Sequence, residues 1–247
     1  MTSLVQALGL GRGDVVAVAG AGGKTTLVYR LAAEAREAGL RVLVTSTTHM
    51  GTLPEAITGP VLLEEEGALG TRIEKIMRET GYATVLGRRV RPDKIEGMAA
   101  PRVDELVSRA ELVLIESDGA RGRSLKVPAP HEPVVPRSTT VLVVVAALDV
   151  LGEPLDEFRV HRLELVSAAT GRAVGETVDE ETVVAALTHG QGYPARIAPG
   201  VRAAVFLNKV EDAVREAAAA RIAPRLIPPY HVVAAGAARG GAVRVWK

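Results

Sequence analysis

Residues 14–26, Asp-Val-Val-Ala-Val-Ala-Gly-Ala-Gly-Gly-Lys-Thr-Thr, constrain this chain more than any other stretch. The apolar run at 15–19 predicts a buried strand. Gly20, Ala21, Gly22 and Gly23 form a turn, and the residues from Lys24 open a helix. Leu27, Val28, Leu31, Ala32 and Ala35 recur at helical spacing, and Gly39 marks the stop. A triphosphate site needs that order of elements. Glycines let backbone N–H groups close around phosphate oxygens without a Cβ in the way, and the start of the helix adds partial positive charge. Lys24, expected at the exposed start of the helix, can reach the β- and γ-phosphates. The Thr25 hydroxyl can ligate Mg²⁺, and Thr26 completes the loop.

The loop departs from the common G-x-x-x-x-G-K-[ST] spacing, because Val18 stands where that pattern has glycine. The shorter Gly-Ala-Gly-Gly-Lys-Thr-Thr run is similar to the loop of Mur-type ligases. The alternative is a glycine turn that only lets a strand and a helix pack.

The rest of the chain suits an α/β protein with a doubly wound, mostly parallel sheet of P-loop NTPase type. Apolar runs at 41–45, 111–115, 139–145, 202–207 and 231–234, with shorter ones at 61–63 and 84–86, do not alternate in polarity. Such runs suit strands covered by helices on both faces. Helical patterns at 72–80, 103–109, 178–189 and 211–221 lie between them. No linker or internal repeat divides residues 1–247, so a single nucleotide-binding domain is expected.

The 247 residues are 47% hydrophobic and 24% charged, with a net charge of +1. That balance gives no reason to expect nucleic acid or a membrane surface as partner. The start of the chain lacks the pattern of a signal peptide, and a cytoplasmic location is expected. With no cysteine, the chain offers no disulfide, thiolate metal ligand or thiol nucleophile.

Four further segments carry chemistry. Glu116 and Asp118 end an apolar strand where a carboxylate falls beside the phosphate loop, so that one of them, with Thr25, can hold Mg²⁺. The sequence does not say which. Thr47, Thr48 and His49 end the strand after the first helix and face the crevice of an open sheet; a polar turn with an incidental histidine is the alternative for His49. The proline-stiffened run 119–133 mixes Arg121, Arg123 and Lys126 with His131 and Glu132. It suits an anionic second substrate, with His131 placed for proton transfer. Asn208 and Lys209 resemble the start of the N-K-x-D element that reads guanine, although Glu211 stands in its fourth position. A helix cap by Asn208 or Asp212 is the alternative.

Together these segments resemble the YqeC family, described as accessory proteins of selenium-dependent hydroxylases. The resemblance rests on residues 18–26, 45–50, 116–121, 125–133 and 207–210, and residues 148–152 with His161 and Arg162 also fit. It implies a P-loop protein that assists maturation of molybdenum-containing hydroxylases, which would be its client proteins. A thiol-based selenium carrier role is excluded for a chain without cysteine. The expected activity is Mg²⁺-dependent hydrolysis of ATP or GTP, or phosphoryl transfer or ligation onto the second substrate. The alternative is a nucleotide-gated chaperone or cofactor-insertion protein that hydrolyses slowly.

Overall fold

Residues 141–147, Val-Leu-Val-Val-Val-Ala-Ala, are buried at every position, as are residues 42–46, 82–86 and 112–116. Strands with both faces buried need helices on each side, and the computed structural model, which describes residues 2–52 and 54–247, provides them. Among the described residues, nine strands form one sheet: β1 Asp14–Gly20, β2 Val42–Ser46, β3 Val61–Leu63, β4 Tyr82–Leu86, β5 Leu112–Glu116, β6 Val141–Ala147, β7 Arg202–Asn208, β8 Val232–Ala235 and β9 Arg244–Trp246. Their order is β9-β8-β7-β6-β1-β5-β2-β4-β3. Every neighbouring pair is parallel except β8 and β9.

Alternate residues of β1 enter different cores. Ala17 and Ala19 pack with Leu142, Val183 and Ile222 on one face. Val16 and Val18 pack with Leu27, Leu31 and Val143 on the other. This is the α/β, doubly wound arrangement that the sequence predicts.

The topology also fixes where a ligand can sit. From β1 the chain passes over β5 to reach β2, and after β5 it crosses to β6 on the opposite flank. The switch in direction opens a crevice at the carboxyl end of β1. In register there, Glu116 pairs with both Val18 and Ser46, and Gly20 pairs with Val145. The carboxyl ends of β1, β2, β5 and β6 therefore adjoin along one edge.

Some elements differ from expectation. The helix predicted over 211–221 is Ala213–Ile222, because the Asp212 side chain accepts the Arg215 N–H and caps it. The segment 103–109 divides into the helix Ala100–Asp104 and a 3₁₀ turn at Val107–Arg109. A small antiparallel sheet of Met50–Gly51, Arg89–Arg91 and Lys94–Ile95 was not expected, nor was the parallel pair Leu125–Lys126 and Val160–His161. Two- and three-residue strands are too short to carry a periodic signal. Among the described residues, no helix is long and apolar enough to cross a membrane.

Candidate functional site at the carboxyl end of β1

The glycine loop is pressed against the end of β6. A Cβ on Gly20, whose φ is +101°, would lie 2.1 Å from the Val145 carbonyl oxygen, and one on Gly22 would lie 2.3 Å from the Ala147 Cβ. Neither position can take a side chain without moving the sheet. Gly23 begins the helix Lys24–Glu37, and no side chain caps its first turn. The open N–H groups and the helix dipole give this end a partial positive charge suited to an anion.

Lys24 does not sit at an exposed helix start. It is only 4% exposed, and its Nζ folds back over the loop to donate to the Gly20 carbonyl at 2.9 Å. The same Nζ lies 3.3 Å from Asp118 Oδ1 and 3.9 Å from Glu116 Oε1. The two carboxylates compensate a charge that burial would otherwise disfavour.

Those carboxylates stand in different surroundings. Glu116 borders the crevice, and its Oε2 accepts from the Thr25 hydroxyl at 2.7 Å. Burial pushes its carboxyl above the usual range, against the pull of Lys24 and the Thr25 hydroxyl. Asp118 is wholly enclosed. It accepts the Gly20 N–H on both oxygens at 3.1 Å and the Tyr193 hydroxyl at 3.1 Å, and it pairs with Lys126 at 2.9 Å. Asp118 therefore braces the loop from behind, while Glu116 faces the crevice. Among the described residues, no group of three or more His, Asp or Glu is arranged to hold a metal. Thr25 and Glu116 are a donor pair of the kind that holds Mg²⁺ together with phosphate oxygens and water.

The run 119–133 splits into two parts. Arg121 and Arg123 border the crevice, together with Thr48 and His49. Lys126 and Glu132, expected to meet a second substrate, do not border it. Lys126 is enclosed, donating to the Gly119 carbonyl at 2.6 Å and pairing with Asp118 and with Glu132 at 3.0 Å. Glu132 takes a two-point contact from Arg162, at 3.0 and 2.9 Å, and also accepts the Ala129 N–H. Burial alone would raise the Glu132 carboxyl, but Arg162, Lys126 and that N–H hold it down to about 2. His131 is exposed and does not border the crevice. A line of alternating charge, Lys24–Asp118–Lys126–Glu132–Arg162, thus runs from the loop through the interior to half-buried Arg162. Beside it, burial and the charges of Lys126 and Arg162 lower His161 to about 4.

Three other expected contacts are made within the protein. The Thr47 hydroxyl donates to the Val134 carbonyl at 2.6 Å. Asn208 donates to the Gly22 carbonyl at 2.7 Å and accepts the Ala238 N–H at 2.8 Å, tying the glycine loop to β7. Lys209 pairs with Asp149 at 2.6 Å.

The crevice encloses about 590 Å³. Its outer end takes Arg91, Asp93 and Lys94 from the small antiparallel sheet, residues that the sequence reading missed. The stretch Arg-Val-Arg-Pro-Asp-Lys at 89–94 does hold a hairpin signal, since proline and aspartate favour a tight turn. Tyr193 and the full role of Arg162 were also missed, because their partners lie 75 and 30 residues away.

A glycine loop and a helix start at the switch point of a largely parallel sheet define a P-loop-NTPase-like doubly wound protein. The chain belongs to the YqeC family, whose model matches residues 16–164. It is 32% identical over 200 residues to an uncharacterised protein, YqeC, of Escherichia coli (strain K12), covering 80% of this chain and 77% of that protein. The family match includes the line from Lys24 to Arg162 and ends before Tyr193 and Asn208.

Proposed function

We propose that this chain binds a nucleoside triphosphate, ATP or GTP, with Mg²⁺, and hydrolyses it or transfers its terminal phosphoryl group to an anionic second substrate. The observation behind this reading is the convergence at the end of β1. Gly22, the open helix start at Gly23 and the Thr25–Glu116 pair border one crevice, with Gly20 held behind them by Asp118. Thr25 and Glu116 would hold the metal, which when bound supplies charge neutralisation on the phosphates.

Lys24 would exchange Asp118 for phosphate oxygens. Asp118 can release it without being left unpaired, because Lys126, Tyr193 and the Gly20 N–H remain bound to it. At the outer end, Arg121 and Arg123 with Thr48 and His49 suit the second substrate, where cations can also stabilise developing charge. Resemblance to the family adds the setting: maturation of selenium-dependent molybdenum hydroxylases, with such an enzyme as client.

The second reading is a nucleotide-gated binding protein with slow turnover. It is favoured by Lys24, which has one set of partners in the protein and would need another on phosphate.

The test is thermal unfolding and calorimetry with ATP and GTP, each with and without Mg²⁺. A nucleotide at a hundred times its Kd should add about 2.7 kcal/mol of stability. If neither nucleotide raises the transition with Mg²⁺ present, the reading fails. Turnover stimulated by small phosphorylated anions supports the transferase; stimulation only by a client enzyme supports the gate.

A further inference from the structure

A second cleft, of about 580 Å³, lies outside the site described above. Pro128 and Pro130 form one wall, Leu165, Ala168 and Ala169 another, and residues 189–191 with Ala195 and Arg196 the third. Among the described residues, no carboxylate borders it. Its polar side chains are those of His189, Gln191 and Arg196, and among the described residues the His189 Nδ1 and Arg196 Nε atoms are buried without a hydrogen-bond partner. Native structures rarely leave buried nitrogens unsatisfied, and an apolar cleft with a few convergent polar groups is the usual form of a small-molecule site. Charge complementarity gives the head group: an anion that can accept from Arg196 and His189.

Two walls of the cleft are tied to the same residue. The proline wall follows directly from Lys126, which pairs with Asp118 at 2.9 Å. Tyr193, buried behind the third wall between its lining residues Gln191 and Ala195, donates its hydroxyl to Asp118 at 3.1 Å. Asp118 in turn holds the Gly20 N–H and lies 3.3 Å from Lys24 Nζ. A ligand that moves either wall acts on the residue that braces the glycine loop.

We infer that this cleft is a second ligand site, for a small amphipathic anion with an aryl or alkyl body and a carboxylate, phosphate or sulfonate head, and that Asp118 couples its occupancy to the glycine loop. The binding half stands on the cleft alone; the coupling half rests on the nucleotide reading.

The probe is anilinonaphthalene sulfonate, a fluorescent apolar molecule with a single anionic head, titrated against the intact folded chain. Saturable one-site binding is expected. Arg196→Gln should weaken it about ten-fold, as for loss of a charge-assisted hydrogen bond. Ala168→Trp, at an exposed helix position, should block it while the urea midpoint stays unchanged. Binding that neither substitution alters overturns the site.

For the coupling, saturating probe should shift the Kd for Mg²⁺–nucleotide by about five-fold, and nucleotide should shift the probe by the same factor. Tyr193→Phe should retain probe binding and erase the shift. Probe binding at this site with no shift in the wild type overturns the coupling. If no nucleotide binds, the coupling falls with the nucleotide reading, and the probe titrations still judge the cleft.

Discussion

Lys126 Nζ lies 2.9 Å from Asp118 Oδ2, and neither side chain reaches solvent. Enclosing two charges is costly unless the remaining donors and acceptors are matched. Here they are: Lys126 also meets Glu132 and the Gly119 carbonyl, and Asp118 also meets Tyr193, Lys24 and the Gly20 N–H. The pair fixes the distance between the glycine loop and the segment 127–132. It makes the Lys126–Glu132 part of the run 119–133 a structural link into the site.

Lys126→Met should therefore act on stability. Breaking one side of a buried pair costs about 3–5 kcal/mol, because the partner charge is left unmatched. Urea unfolding should show that loss in Lys126→Met and a partial recovery in the double variant Lys126→Met, Asp118→Asn. A loss below about 1 kcal/mol, the range of exposed pairs, would place this pair at the surface.

Lys24→Ala should remove nucleotide-dependent stabilisation and also weaken the free protein. Lys24 is enclosed between Glu116 and Asp118, so its loss leaves two neighbouring carboxylates facing each other. Protonation relieves that repulsion, so the deficit should shrink as pH falls from neutrality toward 5. Thermal unfolding of both proteins across that range, without nucleotide, measures the difference. A deficit that does not vary with pH would mean that Lys24 contributes through packing alone.

Glu116→Gln and Asp118→Asn should separate the two carboxylates. Burial raises the Glu116 carboxyl, so the folded state binds its proton more tightly than the unfolded state. Ionised Glu116 thus lowers stability as pH rises above the unfolded value, and Glu116→Gln should leave the free protein as stable at pH 7 or more so. Its Mg²⁺ requirement should nevertheless rise by about ten-fold or more, since the amide lacks the charge that attracts the cation. Asp118→Asn should destabilise the free protein by about 2 kcal/mol or more, because the buried Lys126 and Lys24 each lose one carboxylate partner. Mg²⁺ titrations monitored by nucleotide binding, together with urea midpoints, decide the assignment. Equal effects of both variants on both measurements would refute it.

The glycine loop was legible because its signal is local: strand, turn and helix start lie within thirteen residues, and β5 and β6 announce themselves as unalternating apolar runs. The roles of Lys126 and Glu132 were not. Their spacing is that of a solvated loop, and only the turn that returns the Glu132 N–H to the Ala129 carbonyl brings the carboxylate back onto Lys126. Tyr193 could not be found from its neighbours, since its hydroxyl bonds to a residue 75 positions away. Arg91 and Lys94 escaped because they sit on strands of three and two residues at the rim of the crevice.

The far end of the charge line should give the protein two separate steps of acid lability. His161 is lowered to about 4 by burial and by the positive charges of Lys126 and Arg162. The unfolded chain therefore takes up this proton first, near the ordinary histidine value of about 6.5. Stability falls as pH drops from about 6.5 toward 4, and below that the folded protein is protonated too. Glu132 acts lower down. Its carboxyl is held at about 2 by Arg162 and Lys126 against the effect of burial. The stability it contributes is complete above the unfolded value of about 4.3 and is lost as pH falls toward 2, amounting to roughly 3 kcal/mol if the pair stays intact. Urea midpoints measured from pH 8 to 3 should thus decline in the wild type. His161→Gln should flatten the portion between pH 6.5 and 4. Glu132→Gln should flatten the portion below 4.5 and lower the midpoint at neutrality, because Lys126 and Arg162 lose their shared counter-charge. An upper slope that survives His161→Gln would assign it to another group and detach His161 from the charge line.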